Sequence, residues 1–260
     1  MKMTGGGHMR RKKQRRRRRG CRNFVLVVFL TFVAAGAAWQ IYSAQRNYEA
    51  DQLIEMGYPE SLAELYVRNE EARNFVLDYD ETKGVSDRID VSGDVTAGEI
   101  PLFLQWDKRW GYGIYGDDFM ATSGCGPTAL AMVYCGLTGD TTMNPWEVAQ
   151  LAENWGYYVS GQGSSWNMMD ELAEQLGLSV HSVSFDRDSI LYELLAGNPI
   201  ICIVGAGDFT TEGHFIVLTE VDGQGMVTVH DPNSRENSDK KWDIETIMSQ
   251  TQNLWGYAFE

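Results

Sequence analysis

An abrupt change of composition near the N-terminus constrains this chain more than any other feature of its sequence. Residues 1–22 hold 11 of the 22 Lys and Arg residues and no Asp or Glu, and the 19 residues 24–42 are free of charge. A helix of that length spans roughly 28 Å, close to the hydrocarbon thickness of a bilayer. Because basic residues stay on the cytoplasmic side, the sequence predicts a basic cytoplasmic tail (1–23), a transmembrane helix or signal anchor (24–42) and an extracytoplasmic remainder.

A cleaved signal peptide is the alternative for the same segment. The basic stretch fits the n-region of such a peptide, and Ala35-Gly36-Ala37 resembles a cleavage site with small residues. Trp39 and Tyr42 favour a retained helix, since aromatic residues anchor helices at membrane interfaces. Both interpretations export the rest of the chain, which is membrane-bound in the first and secreted in the second.

The exported part is strongly acidic. Without the tail it carries 11 Lys and Arg residues against 36 Asp and Glu residues, a formal charge of −25. Nucleic-acid binding depends largely on neutralising phosphates, so we expect no nucleic-acid partner for this part. The same charge favours basic or neutral peptides as ligands, on electrostatic grounds alone.

The periodicity of the exported part divides it into a stalk and a domain. Residues 43–98 predict a helical stalk and a polar linker, because Leu62 and Leu65 recur at helical spacing after Pro59. Over 99–260 helices precede strands, which indicates a segregated α+β domain. After an extended entry at Ile100–Trp106, helices are predicted at Gly126–Cys135, from Asn144, at Ser165–Leu176 and at Asp188–Ala196, and strands at Leu178–Ser184, Ile200–Val204, His214–Val221, Met226–His230 and Trp255–Phe259.

Cys125 is the candidate nucleophile. It follows Gly124 at the predicted start of a helix, where the positive end of the helix dipole favours an anion. A thiol in that position has a lowered pKa, and the thiolate is the reactive form of cysteine. The alternative for this residue taken alone is a small buried cysteine that caps a turn.

His214 and Asp231 are the candidate partners of that thiol. His214 begins one predicted strand and Asp231 ends the next. If the two strands form a hairpin through residues 222–225, the histidine and the aspartate lie within a rung or two of each other on neighbouring strands. A carboxylate there can fix the tautomer of the imidazole and stabilise the imidazolium. Taken alone, Asp231 is equally typical of an Asp-Pro turn.

The cysteines and histidines elsewhere in the domain are assigned no role in catalysis. Cys135 and Cys202 lie within apolar runs, so we expect buried thiols, with a disulfide between them as the alternative. His181 lies in an alternating strand, and His230 points to the opposite face from its strand neighbours. The sequence has no C-x-x-C pair, and we assign no metal site and no cofactor.

Four segments, in order along the chain, resemble one known family. They are Ile100–Gly111 with the pattern Pro-x-x-x-Gln-x-Asp-x-x-Trp-Gly, Gly124–Met132, Gly213–Leu218 and Asp231-Pro232. Together they make Glu99–Glu260 similar to the C39-like group of papain-fold cysteine peptidases of bacteria. That resemblance implies a papain-like α+β fold, in which a helical subdomain that carries the cysteine helix packs on a twisted antiparallel sheet.

The resemblance also implies roles for four residues. Cys125 attacks the scissile carbonyl of a peptide or amide substrate, His214 acts as the base and Asp231 orients His214. Gln105, together with the backbone N–H of Cys125, holds the oxyanion. The C39 peptidases of bacteriocin exporters are fused to a multi-span transporter and an ATPase, whereas this chain has no P-loop motif. The processing of leader peptides is therefore not implied here.

Two other functions use the same fold. A catalytically silent domain could bind peptides or cell-wall fragments along a groove lined by tryptophans. A transpeptidase or another acyltransferase uses the same three residues and differs from a hydrolase only in the acceptor. The sequence leaves both alternatives open.

Overall fold

The computed structural model describes residues 7–79, 84–86 and 88–259, and of residues 7–27, 30, 32 and 35 only the helical backbone. The chain divides into two compact units, Met1–Met56 and Gly57–Glu260. In the first unit a single helix, α1 (Gly7–Glu55), includes the predicted segment 24–42. Among the described residues, no helix offers an apolar stretch of the length that a bilayer crossing requires. The side chains of residues 24–27, which belong to the predicted segment, lie outside the described residues.

The second unit combines short helices with short strands. Its helices are α2 (Glu60–Arg68), α3 (Arg73–Leu77), α4 (Met120–Ser123), α5 (Cys125–Thr138), α6 (Pro145–Asn154), α7 (Glu171–Gln175), α8 (Arg187–Leu195), α9 (Arg235–Ser238) and α10 (Ile244–Met248), with 3-10 turns at Glu70–Ala72 and Trp166–Met169. Its strands are β1 (Ile114–Tyr115), β2 (Asp118–Phe119), β3 (Tyr158–Val159), β4 (Gly163–Ser164), β5 (Ser179–His181), β6 (Ile200–Val204), β7 (His214–Val221), β8 (Met226–His230), β9 (Lys241–Asp243) and β10 (Thr251–Ala258).

The main sheet of this unit is antiparallel and has the strand order β5-β10-β6-β7-β8-β9. The predicted α+β class with an antiparallel sheet is therefore confirmed. Strand β6 is buried along its whole length, as are the first five residues of β7. Their continuous apolar runs follow from this position, because a strand covered on both faces needs no polar alternation.

Helix α5 covers one face of the sheet. Its sequence is rich in Ala, Leu and Met, and Pro127 lies in the first turn, where a missing N–H costs no helical hydrogen bond. The helix ends at Gly139, whose φ of 71° is the left-handed conformation that glycine adopts without strain. Its side chains are buried on nearly all sides, and they share a core with Phe215 and Val217 of β7. This packing fixes the start of α5 close to the start of β7.

The opposite face of the sheet packs against α8 and α10. The buried side chains there are Ile190, Leu194, Ile200, Cys202, Ile216, Leu218, Val227, Val229, Ile244 and Ile247. Alternate residues of β6 and β7 therefore contribute to two separate cores, as the two-residue period of a strand requires.

The segment Gly57–Tyr79, predicted as part of a stalk, belongs to the second compact unit. Leu62 and Leu65 of α2 and Phe75 of α3 are buried in a core with Tyr112 and Ala121. The compact unit begins at Gly57, whereas the sequence predicted a domain from Glu99. The physical reason is that the apolar face of this amphipathic pair of helices has a complementary surface on the domain itself.

Several element boundaries differ from the prediction, and the predicted strand Leu178–Ser184 is only Ser179–His181. The predicted helix Ser165–Leu176 divides into a 3-10 turn and α7, because the side chain of Asp170 caps the N–H of Glu171 and starts a new helix there. Strand β10 begins at Thr251, earlier than predicted, since it pairs with both β5 and β6. The entry 100–106 forms no strand.

Candidate active site

Cys125 is the first residue of α5 and carries a free, half-buried thiol. Burial on its own raises the pKa of this thiol. The hydrogen bond and the charge of His214, with the backbone N–H groups of Phe215 and Gly126, outweigh burial and hold the pKa below its ordinary value. The sulfur is thus placed where its anion has hydrogen-bond donors on several sides.

His214 is buried at the first residue of β7. Its Nε2 donates to Oδ1 of Asp231 at 2.6 Å, which leaves Nδ1 as the ring nitrogen that can face the thiol of Cys125. Burial lowers the pKa of the imidazole, but the charge of Asp231 and the hydrogen bonds to Asp231 and Cys125 raise it to about 10. The ring is therefore an imidazolium at neutral pH when its two partners are anionic.

Asp231 is fully buried at the end of β8 and has a complete set of donors. Besides His214, its Oδ1 accepts from the backbone N–H of Asn233 at 2.8 Å. Its Oδ2 accepts from Nδ2 of Asn237 at 2.8 Å. These bonds hold the carboxylate in one orientation and satisfy a charge that would otherwise be costly to bury.

The hairpin register explains how His214 and Asp231 meet. Val217 pairs with His230 on β8, so Asp231 follows opposite Ile216, two residues from His214. The pairing register of the two strands shifts between Leu218 and Glu220, which marks a β-bulge. Counting residues from the turn, as the prediction did, does not take this bulge into account. The predicted proximity of the two residues on neighbouring strands agrees with this register.

Gln105 is buried beside the same cleft. Its backbone N–H donates to the carbonyl of Pro232 at 2.8 Å, which ties it to the turn after Asp231. Its side-chain Nε2 donates to the carbonyl of Ala121 at 2.7 Å, so one further N–H of the amide is available. Its Oε1 has no hydrogen-bond partner within the described residues. The bond to Ala121 fixes the amide, because exchanging its N and O would bring two acceptors together.

A cleft runs past Cys125 on two sides. One lobe has a volume of about 550 Å³ and extends along the loop 207–213 to Asn233. The other has a volume of about 990 Å³ and extends along β4 to Trp166. Residues common to both lobes are Arg68, Thr122, Cys125, Glu212 and Gly213. An extended chain could therefore cross the sulfur with a segment in each lobe.

The charged residues of the cleft wall are mostly acidic. Arg68 is a cation on this wall, while carboxylates line one lobe or both at Glu60, Glu64, Glu70, Glu71, Asp117, Asp118, Asp208, Glu212 and Glu236. The local charge agrees in sign with the charge of residues 23–260 as a whole. Such a surface attracts basic ligands and repels acidic ones.

Two further cysteines and two further histidines of the second compact unit lie away from the cleft. Cys135 and Cys202 are buried free thiols, so the alternative of a disulfide between them is wrong. Burial raises the pKa of each thiol to about 12. His181 is hydrogen-bonded through Nε2 to Glu193 at 2.9 Å. His230 donates through Nδ1 to the carbonyl of Pro101 at 3.2 Å.

Several residues of the site were not predicted from the sequence. Asn233 and Asn237 hold the Asp231 carboxylate, and α2 with the following turn lines both lobes of the cleft. The sequence does hold one signal for the first pair, because Ser234 precedes a short helix and its side chain caps Asn237. No local pattern indicates that α2 packs beside a cysteine more than fifty residues away.

Comparison with known proteins identifies a family and several similar solved structures. The Peptidase C39 like family matches residues 98–258 of the chain. A crystal structure of the peptidase domain of Streptococcus ComA, a bifunctional ABC transporter involved in a quorum-sensing pathway, is similar with 22% sequence identity and a TM-score of 0.41, over 54% of this chain and 93% of that one. Comparison with curated proteins gave no match.

Proposed function

Because the chain belongs to the Peptidase C39 like family, we propose that it is a cysteine peptidase or amidase with Cys125 as its nucleophile. His214 acts as the base, and Asp231 orients His214. The observation that supports this most is the 2.6 Å hydrogen bond from His214 to the fully buried carboxylate of Asp231, with the Cys125 thiol placed where His214 lowers its pKa. The arrangement is that of a papain-like fold, in which a helix start supplies the thiol and a sheet supplies the histidine.

The reaction proceeds through a thioester. The Cys125 thiolate attacks the carbonyl carbon, and the oxyanion receives hydrogen bonds from the backbone N–H of Cys125 and from the remaining N–H of Gln105 Nε2. The His214 imidazolium gives its proton to the leaving amine as the C–N bond breaks. Water then attacks the thioester and gives a proton to His214, and the product acid leaves Cys125 as thiolate again.

The substrate is a peptide or amide that binds in an extended form across both lobes. The acidic wall of the cleft favours basic or neutral segments. No cofactor takes part in these steps, since the thiolate and imidazolium supply both the nucleophile and the proton.

The catalytic unit acts outside the cytoplasm. Support for this comes from the sequence: an uncharged segment, 24–42, directly follows a strongly basic tail. Fusing alkaline phosphatase to the C-terminus tests the location in bacteria, because that enzyme is active only after export. An inactive fusion, together with a fluorescent cytoplasmic reporter fusion, would place the unit inside.

The enzymatic proposal is tested with the full-length chain and a peptide mixture in water enriched in ¹⁸O. We expect cleavage products that carry one ¹⁸O atom in the new carboxyl group, and no cleavage with Cys125→Ala. Cys202→Ser is the matched control, since Cys202 is buried on the other side of the sheet, and it should retain cleavage.

Other results identify the alternatives. Products joined to an added amine without ¹⁸O would indicate acyl transfer by the same residues. Binding of peptides with no covalent change to them, by wild type and Cys125→Ala alike, would identify a silent binding domain and reject the proposed activity.

A further inference from the structure

The turn that carries Asp231 continues directly into α9. The carboxylate of Asp231 takes its direction from this region, because the N–H of Asn233 in the turn and the side-chain amide of Asn237 on α9 both donate to it. Any displacement of the turn or of α9 therefore moves the group that holds His214.

Glu71, in the 3-10 turn after α2, binds the start of α9. Its carboxylate accepts from Oγ of Ser234 at 2.7 Å and from the backbone N–H of Arg235 at 2.9 Å. It also accepts a longer bond from the backbone N–H of Glu236 at 3.4 Å. A carboxylate from a distant part of the chain thus satisfies N–H groups that the helix itself leaves without acceptors.

Asn69 holds the preceding turn. Its Nδ2 donates to the carbonyl of Asn233 at 2.8 Å and to Oδ1 of the same residue at 3.0 Å. The indole of Trp106 donates to that carbonyl as well, at 3.1 Å. Asn69 and Glu71 both precede residues 98–258, which the family match covers.

We propose that Glu71 is a positioning residue of the active site, which keeps Asn237 and the Asp231 carboxylate aligned on His214 by holding the start of α9. The inference rests on the proposed function. Glu71 acts at a distance, because the titratable groups that interact with the His214 ring are Asp231 and Cys125. The charged residues around Glu71 include Arg235 and Glu236 of α9, whose backbone N–H groups it binds, and Arg68 and Glu70, which line the same lobe of the cleft.

The proposal predicts a change in the ionisation of Cys125 that needs no substrate to measure. If Glu71 is lost, Asp231 holds His214 less firmly, the imidazolium is less stable and the thiolate beside it loses part of its stabilisation. The thiolate should then form at higher pH. A residue that only contributed to folding stability would leave the ionisation of the folded protein unchanged.

The experiment measures the rate of Cys125 alkylation by iodoacetamide between pH 4 and 10 in the full-length chain, with site-resolved mass spectrometry. In Glu71→Ala we expect the pH of half-maximal rate to rise by about one unit, which lowers the rate about tenfold at acidic pH. Glu71→Gln keeps one acceptor oxygen and should shift in the same direction by less. Glu174→Ala removes an exposed carboxylate from α7 and should match wild type.

A wild-type pH profile in the folded Glu71 variants overturns the inference. Circular dichroism of the same samples separates this result from unfolding, and Glu71→Gln decides the question if Glu71→Ala does not fold. If wild type itself forms no thiolate below the ordinary cysteine pKa, the proposed function fails and the inference fails with it. A low-pH thiolate in wild type with no shift in the variants rejects the role of Glu71 alone.

Discussion

The ionisation of Cys125 and that of His214 depend on each other at the scale of single residues. The imidazole lowers the pKa of the thiol, and the thiol together with Asp231 raises the pKa of the imidazole. Neither shift follows from burial, since burial opposes both. Both shifts therefore arise because three side chains from separate elements meet in one place.

The pH dependence of kcat/KM follows from these shifts. The rate should rise as Cys125 loses its proton, below the ordinary pKa of a cysteine, and fall as His214 loses its proton, near pH 10. Initial rates between pH 4 and 11 measure both limbs. A descending limb near 6.5, the ordinary value for histidine, would show that Asp231 does not stabilise the imidazolium.

Gln105 provides a second prediction for a single side chain. Gln105→Ala removes the proposed oxyanion donor and should lower kcat about 100-fold, with little change in KM. The Cys125 thiolate has its own donors, so alkylation of Cys125 by iodoacetamide should keep its wild-type pH profile. Loss of alkylation together with kcat would instead indicate that Gln105 supports the fold of the site.

At the scale of elements, the position of α5 on the sheet decides whether the site forms. Gly126, in its first turn, packs so closely that an added Cβ would lie 2.5 Å from Oγ of Ser164 and 2.7 Å from its Cβ. Ser164 is itself fixed by a 2.9 Å hydrogen bond between its hydroxyl and that of Tyr115. The start of the helix therefore tolerates no larger residue.

Gly126→Ala tests this close packing. We expect the free energy of unfolding to fall by about 1–3 kcal/mol, as for other overpacked sites, and peptide cleavage to decrease as the first turn shifts. Chemical denaturation measures the first effect. Gly223→Ala is the matched control, because a Cβ there meets no atom within 4 Å. Equal stability of the two variants would contradict the prediction.

At the scale of the whole molecule, the second compact unit is larger than the region that the family match covers. The family match begins at residue 98, but the unit begins at Gly57. Residues 57–79 bury apolar side chains on the domain, line the cleft and bind the turn after Asp231. This segment is thus part of the second compact unit.

Two truncated chains test that conclusion. Residues 57–260 should unfold in one cooperative transition, whereas residues 99–260 lose the partners of Tyr112 and Ala121. Each large buried apolar side chain contributes about 1.5–3 kcal/mol, so the Tm of the shorter chain should be lower by at least about 10 °C. Calorimetry of both chains measures this difference, and equal Tm values would place residues 57–98 outside the cooperative unit.

The sequence alone determined the features that depend on residues close to one another along the chain. Helix α5 with Cys125 at its start and the hairpin β7–β8 follow from caps, alternation and short motifs, because these act over a few residues. His214 and Asp231 became candidates through their places on the predicted strands, whereas the role of Gln105 was implied by the family resemblance alone. The predicted membrane segment and export remain predictions from the sequence.

Only the tertiary structure decided which distant segments complete the site. Glu71 and Asn69 reach the turn at Asn233 and Ser234 across more than 160 residues of sequence. The division of the helix predicted at Ser165–Leu176 and the early start of β10 likewise depend on long-range packing and pairing. Contacts of this kind form when complete helices and strands pack against each other. The periodicity within one segment does not indicate which other segment it contacts.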